Sequence, residues 1–370
     1  MNCLRSIETF STEWICFVRV TDEAGMQGWG MTAPFAADIT ATVVHRIAAG
    51  VALKPFEDST EVADRIMNDQ YKFLGTFLAR SAAGIDTALW DLEAKRKGVS
   101  VAAMVGQKLD YIDLYASSMK RDLPVQVEAD RLRALQDKFG YRAIKLHPGI
   151  PVSKNKDYWP GRTQDMVKAM MKTAVPGSEV YVDVNGNYTV ETAIEMAKFF
   201  HEQGVTFFEE PCPYWEHDET KAVQRACAEI GIPIAGGEQD YLEPNWRRII
   251  DEQIVDICQP DLLYIGGFTR SLRIAERAAK LGRPVTAHTS NQSPIFVMGL
   301  HYHACIETPY AFLECGIEDD QWTKCYTPTI EIKEGRAKVP DSPGWGFEPT
   351  EEFLSHSKYE VTKARSQSKK

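Results

Sequence analysis

The sequence lacks a hydrophobic run long enough to cross a bilayer. A transmembrane helix needs roughly 20 consecutive apolar residues, and no segment of the 370-residue chain approaches this length. The first ten residues, MNCLRSIETF, also lack the apolar stretch of a secretion signal. We therefore expect a cytoplasmic protein with no membrane partner.

An excess of positive charge is absent as well. The chain has 42 Lys and Arg residues against 52 Asp and Glu residues, which gives a formal net charge of −10. Nucleic-acid binding proteins neutralise phosphates with a basic patch or stripe. The charge balance therefore excludes nucleic acid as an expected partner.

The cysteines do not form C-x-x-C pairs, so neither a zinc site nor a disulfide framework is indicated. We expect them to be reduced and mostly packed in the core. The eight are Cys3, Cys16, Cys212, Cys227, Cys258, Cys305, Cys315 and Cys325.

The length is too great for one ordinary domain and suits a large barrel with a smaller partner domain. Residues 14–20 alternate like a strand, and a turn at 22–25 leads into a return strand at 27–30. Apolar residues within 82–96 then recur at helical spacing. We predict an N-terminal α+β domain over residues 1–110.

From Tyr111 onward, short apolar or β-branched runs alternate with longer helical segments. Eight strands separated by helices predict an α/β fold with a closed parallel barrel over residues 111–330. The predicted strands are 112–116, 143–145, 180–182, 205–208, 232–235, 255–258, 284–287 and 311–313.

Ionisable residues stand at the carboxyl ends of these predicted strands. In a parallel barrel the carboxyl ends form the catalytic rim, so these side chains must converge on a small volume. Their mutual repulsion would be costly without an ion or a substrate to balance it. They are Lys145, His147, Asp183, Glu209, Glu238, Asp261, His288 and Glu314.

Three of these residues form a candidate metal site. Asp183, Glu209 and Glu238 end neighbouring strands, which lie roughly 4.8 Å apart, so their carboxylates can reach one ion. A set of hard oxygen ligands selects Mg²⁺, with Mn²⁺ as the other possibility. Glu210 points to the opposite face from Glu209 and is expected to support the site from outside.

Proton carriers are predicted on both sides of this metal. Lys145 and His147 are two residues apart on one strand and face inward together, whereas His288 ends a strand on the opposite wall. Asp261 is placed to hold the far nitrogen of His288 and set its tautomer. A metal with acid/base groups on either side suits removal of the proton next to a carboxylate, through an ene-diolate.

The motifs at these strand ends resemble the enolase superfamily, and the mandelate racemase subgroup matches best; such enolase-type sites are also a standard example of this metal chemistry. The resemblance extends over nearly the whole chain, including AGIDTALWD at 83–91 and VPDSPG at 339–344. The rim motifs are AIKLH at 143–147, VDVNG at 182–186, FFEEP at 207–211, AGGE at 235–238, QPD at 259–261, AH at 287–288 and FLE at 312–314.

This resemblance implies a TIM-like modified (β/α)7β barrel beneath an α+β capping domain, to which the C-terminal segment 331–370 returns. It implies the same metal ligands and the same acid/base unit of His288 with Asp261. Glu314 is then expected to act as a hydrogen-bond donor or stabiliser for the substrate carboxylate. Asn185 is expected to contact metal-bound water or the substrate.

The sequence departs from the family pattern in two places. The family usually has Lys-x-Lys at the end of the second barrel strand, whereas this chain has Lys145-Leu146-His147. An imidazole titrates near 6.5 and can serve as a base near neutrality, so His147 is one candidate base and Lys145 the other. We also expect the first strand of the capping domain, and the specificity loop behind it, to be shortened or missing.

The predicted activity is Mg²⁺-dependent dehydration of an acid sugar, an aldonate or aldarate, to a 2-keto-3-deoxy acid. Racemisation, epimerisation and cycloisomerisation use similar sites and remain alternatives, as does an acid-sugar binding protein without activity. The expected partner is a small carboxylate, and we expect a homo-oligomer. His301 and His303 are expected to be structural, and the loop at 148–162 is either solvated or a cover for the site.

Overall fold

The computed structural model describes residues 2–318 and 320–364. Its strands are β1 (Leu4–Ser11), β2 (Cys16–Asp22), β3 (Gln27–Met31), β4 (Tyr111–Ser117), β5 (Ala143–Leu146), β6 (Glu179–Asp183), β7 (Phe207–Glu209), β8 (Ile234–Gly236), β9 (Ile257–Cys258), β10 (Leu313–Gly316), β11 (Tyr326–Thr327), β12 (Ile332–Lys333), β13 (Arg336–Lys338), β14 (Glu348–Pro349) and β15 (Lys358–Lys363).

The helices of the described residues are α1 (Ala37–Val43), α2 (Ala49–Ala52), α3 (Val62–Asp69), α4 (Thr76–Lys97), α5 (Val101–Val105), α6 (Val125–Phe139), α7 (Arg162–Thr173), α8 (Val190–Gln203), α9 (His217–Ile230), α10 (Glu243–Asp251), α11 (Phe268–Lys280), α12 (Pro294–Cys305) and α13 (Glu351–His356). A π-helical turn at Val44–Ala48 and short 3-10 turns supplement them. None of the helices in these ranges is long and apolar enough to span a membrane.

The capping domain contains an antiparallel sheet in the order β15-β1-β2-β3. The expectation that its first strand is missing was wrong, because β1 pairs with β2 along its whole length. On its other edge β1 pairs with β15, from Ser6 opposite Lys363 to Ser11 opposite Lys358. The two ends of the chain are therefore joined in one sheet.

Helix α4 covers this sheet at very short range. A Cβ atom added at Gly28 would collide with the carbonyl of Ala88, and one added at Gly30 would collide with the backbone of Gly84 and Ala88. The Gly-Trp-Gly sequence of β3 thus lets the helix approach the strand backbone.

The barrel has parallel strands in the order β4-β5-β6-β7-β8-β9, and β10 pairs with β4 to close it. This confirms the predicted α/β fold. The predicted strand at 284–287 was wrong in detail, since Val285 forms only single bridges, to Cys258 and to Pro309. The backbone N–H groups of this segment still form hydrogen bonds, because Val285 N donates to Thr308 O and Thr286 N donates to Cys258 O.

The capping domain is joined to the barrel next to the predicted rim. Asp86 of α4 is buried and accepts hydrogen bonds from Thr269 N (3.1 Å) and Thr269 Oγ1 (2.6 Å) at the start of α11. Trp90 donates to the same hydroxyl at 2.8 Å. Burial raises the pKa of Asp86 to about 7. Helix α4 is therefore fixed against the loop that carries Asp261.

Candidate active site

The three predicted metal ligands meet at the carboxyl edge of the barrel sheet. Asp183 and Glu209 are paired residues at the ends of β6 and β7, and Glu238 follows β8. All three are buried, and one oxygen from each lies within 4.8 Å of the others. The predicted cluster is therefore present in the structure.

The chemistry of this cluster fits a hard divalent cation. The donors are carboxylate oxygens only, with no thiolate among them, as Mg²⁺ prefers. Burial raises the pKa of Glu209 well above its usual value, and although Lys145 opposes this shift, the nearby Asp183 carboxylate adds to it. A bound cation would relieve this crowding of negative charge.

Asn185 and Arg121 hold the first ligand in place. Asp183 accepts hydrogen bonds from the backbone N (2.7 Å) and the side-chain Nδ2 (3.0 Å) of Asn185, whose φ is 45°. Arg121, in the loop after β4, donates to Asn185 Oδ1. Arg121 was not predicted from the sequence, because no motif in that loop marks it.

Lys145 lies between carboxylates. Its Nζ is 2.8 Å from Glu209 Oε1 and 2.8 Å from Glu314 Oε1, and it is 3.8 Å from Asp183 Oδ2. Burial by itself lowers the pKa of Lys145, but Glu209 and Glu314 raise it well above its ordinary value. In this arrangement Lys145 is an ammonium ion.

His147 lies beside the cluster with both ring nitrogens in contact. Its Nδ1 is 2.5 Å from the carbonyl oxygen of Ser118, and its Nε2 is 2.8 Å from Asp183 Oδ2. Since a carbonyl only accepts, Nδ1 must carry a hydrogen, and Nε2 is the nitrogen turned toward the carboxylates. The side chain of Ser118 is in turn held by Glu128 and Arg131.

His288 and Asp261 form the predicted pair. His288 Nδ1 is 2.8 Å from Asp261 Oδ2, while Asp261 Oδ1 accepts from the backbone N of Leu263 (2.7 Å) and of Tyr264 (3.0 Å). His288 Nε2 points to Glu238 Oε2 at 3.2 Å. Burial lowers the pKa of His288, yet Glu238 and the other nearby carboxylates raise it well above its usual value.

Replacing Asp261 with Asn should lower turnover by about 100-fold or more, because a positioned acid/base group typically accelerates a reaction by this factor. The amide can present its NH₂ group to Nδ1 and so favour the wrong tautomer of His288. Steady-state kinetics of the two single variants and of Asp261→Asn with His288→Asn would check this. The double variant should lose no more than His288→Asn alone; additive losses would show that Asp261 acts independently of His288.

Glu314, on β10, completes the inner face of the site. Its Oε2 accepts from Thr289 N at 2.8 Å and its Oε1 pairs with Lys145. Burial raises the pKa of Glu314, but Lys145 and His288 lower it to about 2. The group is an acceptor in this arrangement, and a donor role would require it to gain a proton.

Two further residues of the site, Gln259 and Tyr264, had no predicted role, and Glu210 was expected to support the metal site from outside. Gln259 donates to Glu209 Oε2 at 3.0 Å. Glu210 is buried with a φ of 44°, and its Oε1 has no hydrogen-bond partner among the described residues. The ring of Tyr264 lies 6.0 Å from that of His288. Gln259 stood in a quoted motif, whereas nothing in the sequence signals the left-handed backbone of Glu210.

His301 is occupied by structural contacts. It accepts a hydrogen bond from Ala102 N at 3.0 Å and lies 3.0 Å from Trp345 O, which joins α12 to the α5 segment and the C-terminal region. The loop at 148–162 is anchored by the fully buried Arg162, which donates to Pro148 O at 2.8 Å.

Two models of known protein families match the chain. The model of the mandelate racemase / muconate lactonizing enzyme N-terminal domain matches residues 3–106, and the enolase C-terminal domain-like model matches residues 127–353.

Similar individual proteins include an arabinonate dehydratase from Saccharolobus solfataricus, 28% identical over 87% of this chain and 85% of its own. A D-galactarolactone cycloisomerase from Agrobacterium fabrum is 27% identical over 74% of this chain and 72% of its own. A crystal structure from Roseobacter denitrificans, provisionally described as a racemase, has a TM-score of 0.94 and 40% identity, covering 98% of this chain and 100% of its own.

Proposed function

The chain belongs to the mandelate racemase / muconate lactonizing enzyme family within the enolase superfamily, and from this premise we propose that it dehydrates an acid sugar. The substrate would be an aldonate or aldarate, and the product a 2-keto-3-deoxy acid. Relatives that act as acid-sugar dehydratases support the assignment.

One observation carries this proposal: two separate imidazoles contact the same carboxylate cluster, one from the end of β5 and the other from the segment that follows the Val285 bridges. His147 Nε2 is 2.8 Å from Asp183, and His288 Nε2 is 3.2 Å from Glu238. A substrate held by its carboxylate at this cluster would therefore have a proton carrier on either side. Dehydration needs such a pair, one group to take a proton and one to give a proton.

Asp183, Glu209 and Glu238 would hold the divalent ion, Mg²⁺ or Mn²⁺. When bound, the cation supplies positive charge for the negative charge that develops on a carboxylate oxygen during proton removal. Lys145, as an ammonium ion between Glu209 and Glu314, adds a second positive charge beside the metal-ligand cluster.

We assign proton removal to His147 and proton delivery to His288. The Ser118 carbonyl keeps a hydrogen on Nδ1 of His147, so Nε2, the nitrogen that faces Asp183 Oδ2, would be the one that takes the proton from the α-carbon. His288, held by Asp261, then gives a proton to the β-hydroxyl, which leaves as water. The enol that results converts to the 2-keto-3-deoxy acid.

A comparison of His147→Asn with Lys145→Met tests the assignment of the base. We expect His147→Asn to lower α-proton exchange by about 100-fold or more at saturating substrate, because a positioned base contributes 10²–10⁴-fold. Lys145→Met should chiefly weaken substrate and metal binding. Saturating concentrations of substrate and metal should therefore restore part of the α-proton exchange rate of this variant. NMR of the α-proton in deuterium oxide measures both variants. Normal exchange in His147→Asn with none in Lys145→Met would make the lysine the base.

Racemisation or epimerisation is the second candidate, and the same pair of imidazoles favours it. If His288 returned a proton to the α-carbon instead of the β-hydroxyl, the product would be the epimer. Cycloisomerisation would also use this pair.

The experiment for the proposed function is a screen of mono- and diacid sugars with magnesium, scored for 2-keto-acid formation. We expect one stereochemical group of acid sugars to give keto acid. An epimer without any keto acid would move the function to the second candidate, and no α-proton exchange with any acid would indicate a binding protein.

A further inference from the structure

The guanidinium group of Arg80, in the capping domain, has no counter-charge among the described residues. Within residues 2–318 and 320–364, its side chain forms no ion pair or hydrogen bond, and its Nε is buried without a partner. The guanidinium does form a cation–π contact with Tyr264, whose ring centre lies 4.5 Å from the guanidinium carbon. By contrast, Arg273 at the same domain junction pairs with Asp64 and Glu243.

The position of Arg80 brings this group to the rim of the candidate site. The carbonyl of Ala79 lies 3.8 Å from the place of a Cβ added at Gly266, so α4 lies directly against the loop after Asp261. Tyr264 belongs to that loop, and its ring centre is 6.0 Å from that of His288. The guanidinium therefore stands one aromatic ring away from a proposed catalytic imidazole.

The chemistry of the group indicates which ligand it would bind. A guanidinium stacked on an aromatic face keeps its N–H edge free for hydrogen bonds. A partly buried cation without a counter-charge is costly, and the planar fork of arginine matches a carboxylate with two parallel hydrogen bonds. Three of the carboxylates near His288, those of Glu314, Asp183 and Glu238, are already engaged with Lys145, His147 and His288 itself. Glu210 forms no ion pair with Arg80 among the described residues.

We propose that Arg80 is a specificity residue that binds a second carboxylate at the far end of the substrate. In this arrangement a substrate with its first carboxylate at the Asp183, Glu209 and Glu238 cluster would lie along His288 and Tyr264 toward Arg80. An extended six-carbon chain spans about 6 Å at ordinary bond lengths. The preferred substrate is then an aldarate rather than an aldonate. This inference rests on the proposed function.

The test compares matched diacid and monoacid pairs, galactarate with D-galactonate and D-glucarate with D-gluconate, in wild type and Arg80→Met. We expect wild type to prefer one diacid. Arg80→Met should lower kcat/KM for that diacid by about 10- to 100-fold, the effect of losing hydrogen bonds to a charged group, chiefly through KM. It should change the monoacid by less than about threefold, and Arg80→Lys should recover part of the loss. Arg46→Met, at an exposed position of the same domain, is the matched control.

An equal fall for diacid and monoacid in Arg80→Met would overturn the inference, because it would show a general structural role. So would a wild-type preference for monoacids that the substitution leaves unchanged. Calorimetric binding of galactarate and D-glucarate separates this inference from the proposed function. Diacid binding that Arg80→Met weakens, without keto-acid formation by wild type, would support Arg80 and contradict the dehydratase activity.

Discussion

Replacing Glu238 with Gln should reduce turnover by about 1,000-fold or more, and an excess of chelator should abolish it in wild type. Glu238 is the ligand that also faces His288, at 3.2 Å. Its neutral amide keeps the shape of the side chain but removes one of three negative charges from the cluster. A Lewis-acid metal stabilises the reaction by several kcal/mol, which is the reason for the size of the expected loss.

Magnesium binding by calorimetry checks this result without an activity assay. Glu238→Gln should bind Mg²⁺ more weakly than wild type, whereas Glu195→Gln, at an exposed position of α8, should bind it normally. Full activity in excess chelator would show that the three carboxylates do not serve a metal.

His288→Asn should abolish keto-acid formation while leaving part of the α-proton exchange. The asparagine cannot donate a proton to a leaving hydroxyl, and loss of a positioned acid costs about 10²–10⁴-fold. His147, at the end of β5, is intact in this variant and can still remove the α-proton. The two activities should therefore separate.

Two assays on one sample measure this separation: keto-acid release, and the loss of the α-proton signal in deuterium oxide. The control is His201→Asn, at an exposed position of α8. If His288→Asn formed keto acid at the wild-type rate, His288 would not be the acid. If both activities fell together, His288 would be the group that removes the α-proton.

The sequence predicted the candidate site well because the site is built from strand ends. The two-residue spacing of Lys145 and His147 predicts that both side chains face inward at the end of β5, and in the structure both lie beside Asp183. The pair of Asp261 with His288 likewise follows from neighbouring positions in a parallel barrel.

What the sequence did not predict depends on contacts between distant residues or on unusual backbone. Strand β1 is stabilised by β15 from the other end of the chain, and no local pattern signals this pairing. Arg80 meets Tyr264 only because α4 packs on the barrel. The positive φ of Glu210 depends on the surrounding site, since a glutamate rarely adopts it, whereas Asn185 is of a type that adopts it more readily.

The most direct test of the central claim is mass spectrometry and NMR of the product formed from an acid sugar in deuterium oxide with magnesium. Loss of the α-proton and of water, followed by conversion of the enol, predicts a 2-keto-3-deoxy acid with one solvent-derived deuteron at C3. An acid that keeps its β-hydroxyl and carries deuterium at C2 would contradict dehydration and identify a racemase or epimerase. Unchanged substrates across the whole set of acid sugars would contradict the catalytic account itself.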